Sequence, residues 1–253
     1  MIDANGLSFI ILEEKVSRAL VIYHFEPGIS NLTAMNHISD IIAVQPVLQQ
    51  QFKRVHIIYG YPSSILVPQQ FINSNTNAAM LELVFGDMSN MEVRTELLKG
   101  KSLTNIYGVP VEIEQVLARN FQFAEYSHVF SLLPDITEKK GDQLYCIFGT
   151  GQLKAILIKG GQQQTLQNFC YKTPEDIIYH LLNRCKNFEV NATEINIQLS
   201  GMIDETSPLY KELYKYFLLL NFDGLPQGFQ YSEEIKQFPE HYFSHLYSLA
   251  ACV

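Results

Sequence analysis

The fold is decided by residues 144–182, which read LYCIFGTGQLKAILIKGGQQQTLQNFCYKTPEDIIYHLL. Three apolar runs are separated here by the glycine-containing turns 149–151 and 160–161, so three adjoining strands are predicted. Residues 173–176 (TPED) then supply an N-cap threonine, a proline at the first helical position and two early carboxylates. That combination is typical of the start of a helix, so a helix is expected to follow the third strand.

The pattern continues as one more strand and one more helix. Residues 195–199 alternate apolar and polar side chains, which indicates a half-buried strand. Ser207-Pro208 is predicted to open a helix whose apolar side carries Leu209, Leu213, Phe217 and Leu220. Three strands followed by helix, strand and helix make up the half-unit of the ribonuclease-H-like, actin-type ATPase fold.

The first half of the chain has a related order of elements. Strands are predicted over 7–12, 19–25, 55–59, 64–68, 105–109 and 126–133, and helices over 38–52, 78–85 and 111–121, with a break near Gln45 before Pro46. Residues 87–101 are interpreted as an exposed irregular segment. The predicted fold class is therefore α/β, with two ribonuclease-H-like halves in an actin-like arrangement.

The chain is predicted to divide into three segments. The charged segment 135–142 (DITEKKGD) is the best boundary, because it is polar and contains a glycine. We expect a first ribonuclease-H-like domain over 1–137 and a second over 142–225. Residues 226–253 are expected to add a strand at 229–231 and a helix at 241–251 that pack back on the core.

The first half shows only two strands before its first helix, where the second half shows three. If both halves derive from one unit, a leading strand should lie before residue 1, about ten residues long with its lead-in. The segment Asp3-Ala4-Asn5-Gly6 would then match the turn Gly149-Thr150-Gly151. Without that strand, residues 7–12 would present an unpaired edge, which proteins usually protect.

Composition excludes several classes of protein. The net charge of −8 comes without a basic block or stripe, so no nucleic-acid partner is predicted. No apolar run approaches the ~18 residues of a membrane span, and no signal peptide is recognised, so a cytoplasmic protein is predicted. The four cysteines form no C-x-x-C pair, and Cys146, Cys170 and Cys185 lie in apolar patterns. Buried, reduced thiols are expected.

Three motifs carry a resemblance to a known family. They are LQNFCYKTPED at 166–176, LSG at 199–201 followed by SPLY at 207–210, and HYFS at 241–244. They resemble the signature of an uncharacterised bacterial domain-of-unknown-function family. The resemblance implies an actin-like ATPase fold over almost the whole chain and implies no established activity.

Active proteins of the actin and sugar-kinase class hold ATP in a cleft between their halves, with an Asp at the end of a strand positioning Mg²⁺ through oxygen ligands. Here no Asp or Glu occurs between Asp142 and Glu175, so the second turn keeps its glycines without an acid. In the first half only Asp3 could position Mg²⁺ in this way. The candidate ligand-binding residues are Asp3, Gly6, Gly149, Thr150, Gly151, Ser200 and Gly201.

Other chemistries find no support in the sequence. There is no G-x-x-x-x-G-K-[ST] loop and no G-x-S-x-G elbow, and Lys154 stands where a dinucleotide fingerprint needs its third glycine. His241 and His245 are spaced to share a metal, but no third ligand is evident and both are interpreted as partly buried core residues. We predict no catalytic residue and no metal ligand, and we assign no cofactor, with ATP and Mg²⁺ left open as the alternative.

The leading hypothesis is a catalytically degenerate actin-like protein that acts as an interaction or scaffold protein, with an unknown protein partner and room for a small-molecule ligand in the cleft. The alternative is an active Mg-ATP-dependent ATPase or phosphotransferase that uses Asp3. A third reading is purely structural, with bulky side chains where phosphates would lie. The sequence leaves all three open.

Overall fold

We analysed a computed structural model, which describes residues 1–137 and 141–253. Residues 138–140, which fall in the predicted boundary segment, lie outside the described residues. The chain forms two compact units. The first unit contains Met1–Phe9 and Ile22–Leu132, and the second contains Ile10–Val21 and Leu133–Val253. The domain limits drawn from the sequence stay a prediction.

The elements in the first part of the chain are as follows. The strands are β1 (Ile2–Asp3), β2 (Gly6–Glu13), β3 (Val16–His24), β4 (His56–Tyr59), β5 (Ser64–Pro68), β6 (Met91–Leu97), β7 (Leu103–Pro110) and β8 (Glu125–His128). The helices are α1 (Asn31–Val44), α2 (Asn77–Phe85), α3 (Val111–Asn120) and α4 (Val129–Ile136), with 3₁₀ turns at Pro46–Gln49 and Gln69–Phe71.

Five of these strands form one sheet in the order β3-β2-β1-β4-β8. β1 runs antiparallel to β2 and parallel to β4, and β4 runs parallel to β8. Helices α1 and α3 cover the sheet through a buried cluster that includes Ile38, Ile42 and Ile113. Ser30 caps α1 by accepting a hydrogen bond from the Thr33 N–H, and α1 ends before Pro46, as the proline predicts.

This sheet contains a short leading strand. β1 consists of Ile2 and Asp3, and Ile2 pairs with Leu7 on one side and with Tyr59 on the other. At Leu7, β2 therefore has a strand on each side, and the expectation of further leading-strand residues before residue 1 stays a prediction. The predicted match of the 3–6 segment to a strand–turn–strand connection agrees with the register, because Asp3 pairs with Gly6.

A smaller sheet has the order β5-β7-β6 and carries α2 against it. The prediction of an irregular segment over 87–101 is wrong, because Met91–Leu97 is β6 and pairs with residues 104–110 of β7. Its residues alternate as Met-Glu-Val-Arg-Thr-Glu-Leu, with Met91 and Val93 packed on the core of the smaller sheet. The three charged side chains occupy the alternate positions, so the segment carries the period-2 pattern of a half-buried strand.

The predicted strand over 126–133 is shorter than expected. β8 ends at His128 and the chain continues at once as α4. The Phe130 N–H donates to Nδ1 of His128 at 3.1 Å, so a local hydrogen bond turns the backbone where the strand stops. An apolar run of this length does not by itself distinguish strand from helix.

The second unit contains β9 (Gln143–Gly149), β10 (Gln152–Lys159), β11 (Gln162–Cys170), β12 (Asn196–Gly201) and β13 (Leu219–Phe222). Its helices are α5 (Pro174–Asn187), α6 (Pro208–Tyr214), α7 (Glu233–Lys236) and α8 (Ser244–Ala251), with a 3₁₀ turn at Glu240–Tyr242. The sheet order is β11-β10-β9-β12-β13, with the first three strands antiparallel and the last three parallel. α6 ends at Tyr214 and Leu220 lies in β13, so the assignment of Phe217 and Leu220 to that helix is wrong.

The helix start at Thr173 has the predicted form. Thr173 accepts from the Asp176 N–H, and the Asp176 carboxylate accepts in return from the Thr173 N–H at 3.0 Å. This capping box satisfies N–H groups that would otherwise lack partners at the helix terminus. α5 and α6 then cover one face of the sheet, where Leu144, Cys146 and Phe148 meet Ile177 and Leu181 in one core.

The C-terminal residues differ from the prediction in detail. The strand predicted at 229–231 is a single bridge between Gln230 and Val16, and the predicted helix at 241–251 is a 3₁₀ turn followed by α8. Tyr247 of α8 is fully buried and its hydroxyl shares a 2.5 Å hydrogen bond with Ser17. All four cysteines are free, but Cys170 is exposed because it ends β11 on the outer side, so its predicted burial is wrong.

Candidate functional site

The predicted phosphate-type turn of the second unit connects β9 to β10. Gly149 ends β9 and pairs with Gln152 at the start of β10, so Thr150 and Gly151 form a two-residue turn. Gly151 has φ of +63°, a conformation that favours glycine. Thr150 and Gly151 are exposed, so the turn is open to solvent.

Side chains of the second unit hold this turn in place. The Tyr171 hydroxyl donates to the Gly149 carbonyl at 2.9 Å, and the Tyr171 N–H donates to the Gly151 carbonyl at 3.0 Å. The Thr150 hydroxyl lies 3.9 Å from the sulfur of Met202. The turn is therefore anchored from one side by the residue that follows β11 and from the other by the residue that follows β12.

Ser200 and Gly201 lie beside this turn, at the carboxyl end of β12. Gly201 pairs with Phe148 across the parallel ladder and has φ of +85°. A Cβ atom built on Gly201 would lie 2.2 Å from the Phe148 carbonyl oxygen, so only glycine fits without moving the backbone. The structure thus brings Gly149, Thr150, Gly151, Ser200 and Gly201 together at one edge of one sheet.

The Ser200 side chain points away from solvent into a polar network. Its hydroxyl is fully buried and lies 3.0 Å from Nδ1 of His245, 2.8 Å from the Ser244 hydroxyl and 3.2 Å from the His241 carbonyl. These partners all belong to the C-terminal 3₁₀ turn and α8. Ser200 therefore binds the C-terminal segment of its own chain.

His241 is held by the same region. Its Nε2 lies 2.6 Å from the Ile203 carbonyl, which can only accept, so Nε2 carries the proton and donates. The ring stacks on Phe222 with centroids 4.2 Å apart, and Phe222 stacks in turn on Tyr210 at 5.5 Å. His241 and His245 are both buried, as the core interpretation predicted.

A carboxylate that sequence reasoning missed lies at the same edge of the sheet. Asp223 directly follows β13, and its Oδ2 accepts a hydrogen bond from the Tyr145 hydroxyl at 2.7 Å. Burial, and after it the negative charge of Asp223, raises the pKa of Tyr145 well above its ordinary value, so Tyr145 stays a neutral donor. Because the carboxyl ends of parallel strands lie at one edge of a sheet, Asp223 could have been placed here from the sequence. It was missed because β13 itself was not predicted.

The corresponding turn of the first unit contains Asp3 and Gly6. Oδ1 of Asp3 accepts from the Asn5 N–H at 2.9 Å, and the Asn5 carbonyl accepts from the Phe25 N–H at 2.8 Å. A Cβ atom on Gly6 would lie 2.2 Å from the Tyr23 carbonyl oxygen, so glycine is required here too. Close packing of the backbone within the sheet therefore explains why residue 6 is a glycine.

Aromatic and charged side chains surround the carboxyl ends of β4 and β8 in the first unit. The Tyr59 hydroxyl donates to Oε2 of Glu114 at 2.5 Å, while Oε1 of Glu114 pairs with Arg94. The Arg94 guanidinium lies over the Tyr126 ring, 4.6 Å from its centroid. Burial, and then the hydrogen bond to Glu114, raises the pKa of Tyr59, which therefore remains protonated.

Tyr61 and His128 complete this edge. Nε2 of His128 donates to the Tyr61 carbonyl at 3.0 Å, since Nδ1 already accepts from Phe130. Burial, and after it the charge of Asp3, raises the pKa of Tyr61. Within the first unit, Asp3 is therefore close enough to the end of β4 for its charge to raise the pKa of the buried Tyr61 hydroxyl.

The seven candidate residues fall into two groups. Asp3 and Gly6 lie at one turn of the first unit, and the other five lie at the sheet edge of the second. A role for any of them in ligand binding stays a prediction. In the part of the chain that the structure describes, no three His, Cys, Asp or Glu side chains gather as a metal site. Nor does any described helix combine the length and apolarity needed to traverse a membrane.

The topology of the two units defines a protein with an actin-like ATPase fold, and a solved structure supports this class. It is a protein of unknown function with an actin-like ATPase fold from Bacteroides thetaiotaomicron, 19% identical, with a TM-score of 0.80 over 98% of this chain and 93% of that one. The predicted fold class is confirmed. The chain belongs to the DUF3822 family, described as a protein of unknown function, which matches residues 1–219.

Two further solved structures share the fold at lower similarity. The PilM-PilN type IV pilus biogenesis complex matches with a TM-score of 0.61 and 10% identity, over 98% of this chain and 96% of that one. The ethanolamine utilization protein EutJ from Carboxydothermus hydrogenoformans matches with a TM-score of 0.51 and 7% identity, over 99% and 88%. No curated protein matches the sequence. At these identities the structures establish the fold.

Proposed function

We propose that this chain is a catalytically degenerate member of the actin-like fold that works in the cytoplasm as an interaction or scaffold protein. One observation carries the proposal. At the sheet edge of the second unit, the polar groups that could meet a nucleotide are engaged by the protein itself. The Ser200 hydroxyl is buried against His245 and Ser244, and the Asp223 carboxylate accepts from Tyr145.

The chemistry of the turn supports the same conclusion. Mg²⁺ requires oxygen ligands, and in-line phosphoryl transfer depends on the charge that the metal and fixed side chains supply. Gly149, Thr150 and Gly151 contribute one exposed hydroxyl and no carboxylate. The residues of this turn do not fit a magnesium site, so we derive no catalytic step through one.

An interaction role also accords with one of the structures that shares the fold. The PilM-PilN structure is a complex, so a chain of this fold can act by holding another protein. For the present chain, a protein partner is the simplest use of a fold in which the Ser200 hydroxyl is engaged by the chain's own C-terminal segment.

A second candidate is an active Mg-ATP-dependent ATPase or phosphotransferase. The observation that favours it is Asp3, which ends β1 directly before a strand–turn–strand connection, where this class of protein places its carboxylate. The two proposals differ in what Asp3 does. In the first it orders a turn through Asn5, and in the second it is required for nucleotide binding.

Thermal unfolding with and without millimolar ATP and Mg²⁺ distinguishes them. A ligand present at about a hundredfold excess over its Kd stabilises the folded state by about 2.7 kcal/mol, which raises Tm by several degrees. We expect no Mg²⁺-dependent rise in the wild-type protein. A rise that Asp3→Asn abolishes, while Asp87→Asn in another exposed turn preserves it, would favour the enzyme.

A further inference from the structure

Strand β11 forms one edge of the five-stranded sheet of the second unit. It pairs with β10 on one side, and no strand of the described residues pairs with its other side. The Tyr171 N–H donates to the Gly151 carbonyl, so the backbone groups of every second residue from 171 back to 165 point toward β10. Those of Leu166, Asn168 and Cys170 therefore point outward, where a further strand could pair with them.

This edge lacks the features by which proteins usually prevent strand pairing, which are charged side chains, proline and short length. β11 has nine residues, and residues 160–171 contain no Asp, Glu, Lys, Arg, His or Pro. Among the other edge strands, β3 carries Arg18, β8 carries Glu125, and β13 has only four residues. A bulge at Gln164 bends only the start of β11. Residues 165–170 therefore form a regular, uncharged edge.

Buried polar atoms without a hydrogen-bond partner gather beside the same edge. They are Oδ1 of Asn168 and Oε1 of Gln167 on β11, and Nε of Arg184 on α5. The Arg184 guanidinium lies 5.4 Å from the centroid of the Phe169 ring, so α5 brings it to this strand. A buried polar group without a partner destabilises the folded chain, and here two acceptors and one donor lie together.

An antiparallel pairing of two copies of β11 about a two-fold axis at Asn168 would supply those partners. Asn168 would lie opposite Asn168 of the second copy, and Leu166 opposite Cys170, all at positions whose backbone groups point outward. The two Asn168 amides would then donate to each other's Oδ1. Each amide carries two N–H groups, and the folded chain uses one of them, toward Oε1 of Gln152 at 3.3 Å.

Gln167 gains a partner through the same register. It would lie opposite Phe169 of the second copy, at a position where the strands do not hydrogen-bond and side chains approach most closely. Because Arg184 of that copy lies over this ring, its Nε would meet the Gln167 Oε1. The last side-chain torsion of Asn and Gln is soft, so both amides can rotate toward the edge. The two-fold symmetry matches this acceptor and donor once on each side of the axis.

We propose that the outer edge of β11, residues 165–170, pairs with the same edge of a second copy of this chain, so that two five-stranded sheets join edge to edge. An uncharged edge brings no like charges together when it meets itself, and it offers a strand of another protein no charge to recognise. The unpartnered atoms are complementary to themselves, which favours a second copy as the occupant. The inference goes beyond the proposed function, because it holds whether or not the chain binds nucleotide.

Sedimentation equilibrium of the full chain between about 1 and 100 µM tests the pairing. We expect the mass to rise with concentration from 28.9 kDa to twice that value. Cys170→Lys places a charge at an exposed position opposite Leu166 of the second copy, and should weaken the dimer at least about tenfold. Asn168→Asp keeps the shape of the side chain but sets two carboxylates against each other on the axis, and should weaken it by at least about tenfold as well.

Two further variants provide controls for place and register. Asn221→Lys lies on β13, at the other edge of the same sheet, and should leave the dimer unchanged. In a chain with Cys170→Ser and Cys252→Ser, Asn168→Cys should form an intermolecular disulfide, since opposite Cα atoms of an antiparallel pair lie about 5.5 Å apart. Gln164→Cys should form none, because its two copies would lie more than about 20 Å apart.

Four results would overturn the inference. They are a monomer at every concentration, a dimer that Cys170→Lys and Asn168→Asp leave intact, a dimer that Asn221→Lys weakens as much as they do, and equal cross-linking from Gln164→Cys and Asn168→Cys. Unchanged thermal unfolding of the dilute variants verifies that each one folds.

The dimer and the nucleotide are tested separately. ATP is absent from the sedimentation and cross-linking measurements, so dimerisation can fail while the thermal test with ATP still supports a degenerate protein. Conversely, Mg-ATP binding would contradict the proposed function while the pairing of β11 remained.

Discussion

The two five-stranded sheets have the same topology but different chemistry at the equivalent edge. In both sheets a leading strand lies between an antiparallel neighbour and a parallel one. The registers make Ile2 equivalent to Phe148, since both pair with a leucine on the antiparallel side. The next residues are Asp3 in the first unit and Gly149 in the second. The same backbone position therefore carries a carboxylate in one unit and no side chain in the other.

The residues that pair with Ile2 and Phe148 on the parallel side also differ, one having a large side chain and the other none. Ile2 pairs with Tyr59, and Phe148 pairs with Gly201. Tyr59 is fully buried and reaches Glu114, whereas Gly201 lets the backbone approach the Phe148 carbonyl. Tyr59 and Glu114 meet at this edge of the first sheet, whereas in the second the C-terminal segment contacts Ser200 beside Gly201. The same strand order is therefore completed by different side-chain contacts in the two sheets.

The largest loss of stability is expected for a substitution of Gly201, the glycine on which that comparison depends. Gly201→Ala places a Cβ atom against a backbone oxygen at a positive φ, so we expect a loss of about 3 kcal/mol in the free energy of unfolding. Gly160→Ala is the matched control, since Gly160 also has positive φ but open surroundings, and should cost about 1 kcal/mol. Urea unfolding measures both. Equal losses would show that Gly201 is needed for its φ alone.

The charged cluster of the first unit should give the next largest effect. Arg94→Leu leaves the half-buried Glu114 carboxylate with Tyr59 as its remaining partner and should cost about 2 kcal/mol. Arg18→Leu breaks an exposed pair with Glu13 and should cost less than about 0.5 kcal/mol. Comparison of the two denaturation midpoints tests this, and similar losses would contradict a special role for the cluster.

The polar network of the second unit should give a smaller loss. Ser200→Ala removes the hydroxyl that joins β12 to His245 and Ser244, and unsatisfied buried partners cost about 1–2 kcal/mol. Thr150→Ala, at an exposed hydroxyl of the same edge, should change stability by less than about 0.5 kcal/mol. Hydrogen exchange of α8 amides provides a local readout. Unchanged protection in Ser200→Ala would mean that the network does not hold the C-terminal segment.

The smallest effect concerns pH and compares one histidine of each unit. Burial is the main cause that lowers the pKa of His56 and of His180 below the ordinary 6.5. Because the unfolded chain binds these protons at higher pH than the folded chain, their contribution to stability is present above about pH 6.5 and is lost as pH falls. His56→Gln should flatten the fall in stability between pH 7.5 and 5, measured by urea unfolding.

The wild-type protein, unfolded in urea over the same pH range, provides the reference for that measurement. A steeper fall in His56→Gln than in the wild type would reverse the expected sign and show that the folded state prefers the protonated imidazole.

The sequence predicted those parts of the structure that depend on neighbours along the chain. The Thr173–Asp176 cap, the 149–151 turn and the break before Pro46 are local features and were recognised from residue type and spacing. The β6 strand was missed although its charged residues occupy alternate positions, which is the period-2 pattern of a half-buried strand. The apolar run after His128 was assigned to the wrong element, because a run of that length fits strand and helix equally well.

The candidate site depends on contacts that spacing does not reveal. Ser200 and His245 are 45 residues apart, and Tyr145 and Asp223 are 78 apart. Only the strand order brings them to one edge, and β13 had been absorbed into the preceding helix. The positions of Gly201 and Gly149 were predicted, but the close approach to Phe148 required the register of two strands.

The most direct test of a degenerate nucleotide edge is phosphate release from ATP by the purified full chain, with and without Mg²⁺, beside Asp3→Asn. The account predicts release at the rate of a protein-free blank for both proteins, with or without the metal. Mg²⁺-dependent release by the wild-type protein that Asp3→Asn abolishes would contradict it, and would assign Asp3 to the chemistry of an active enzyme.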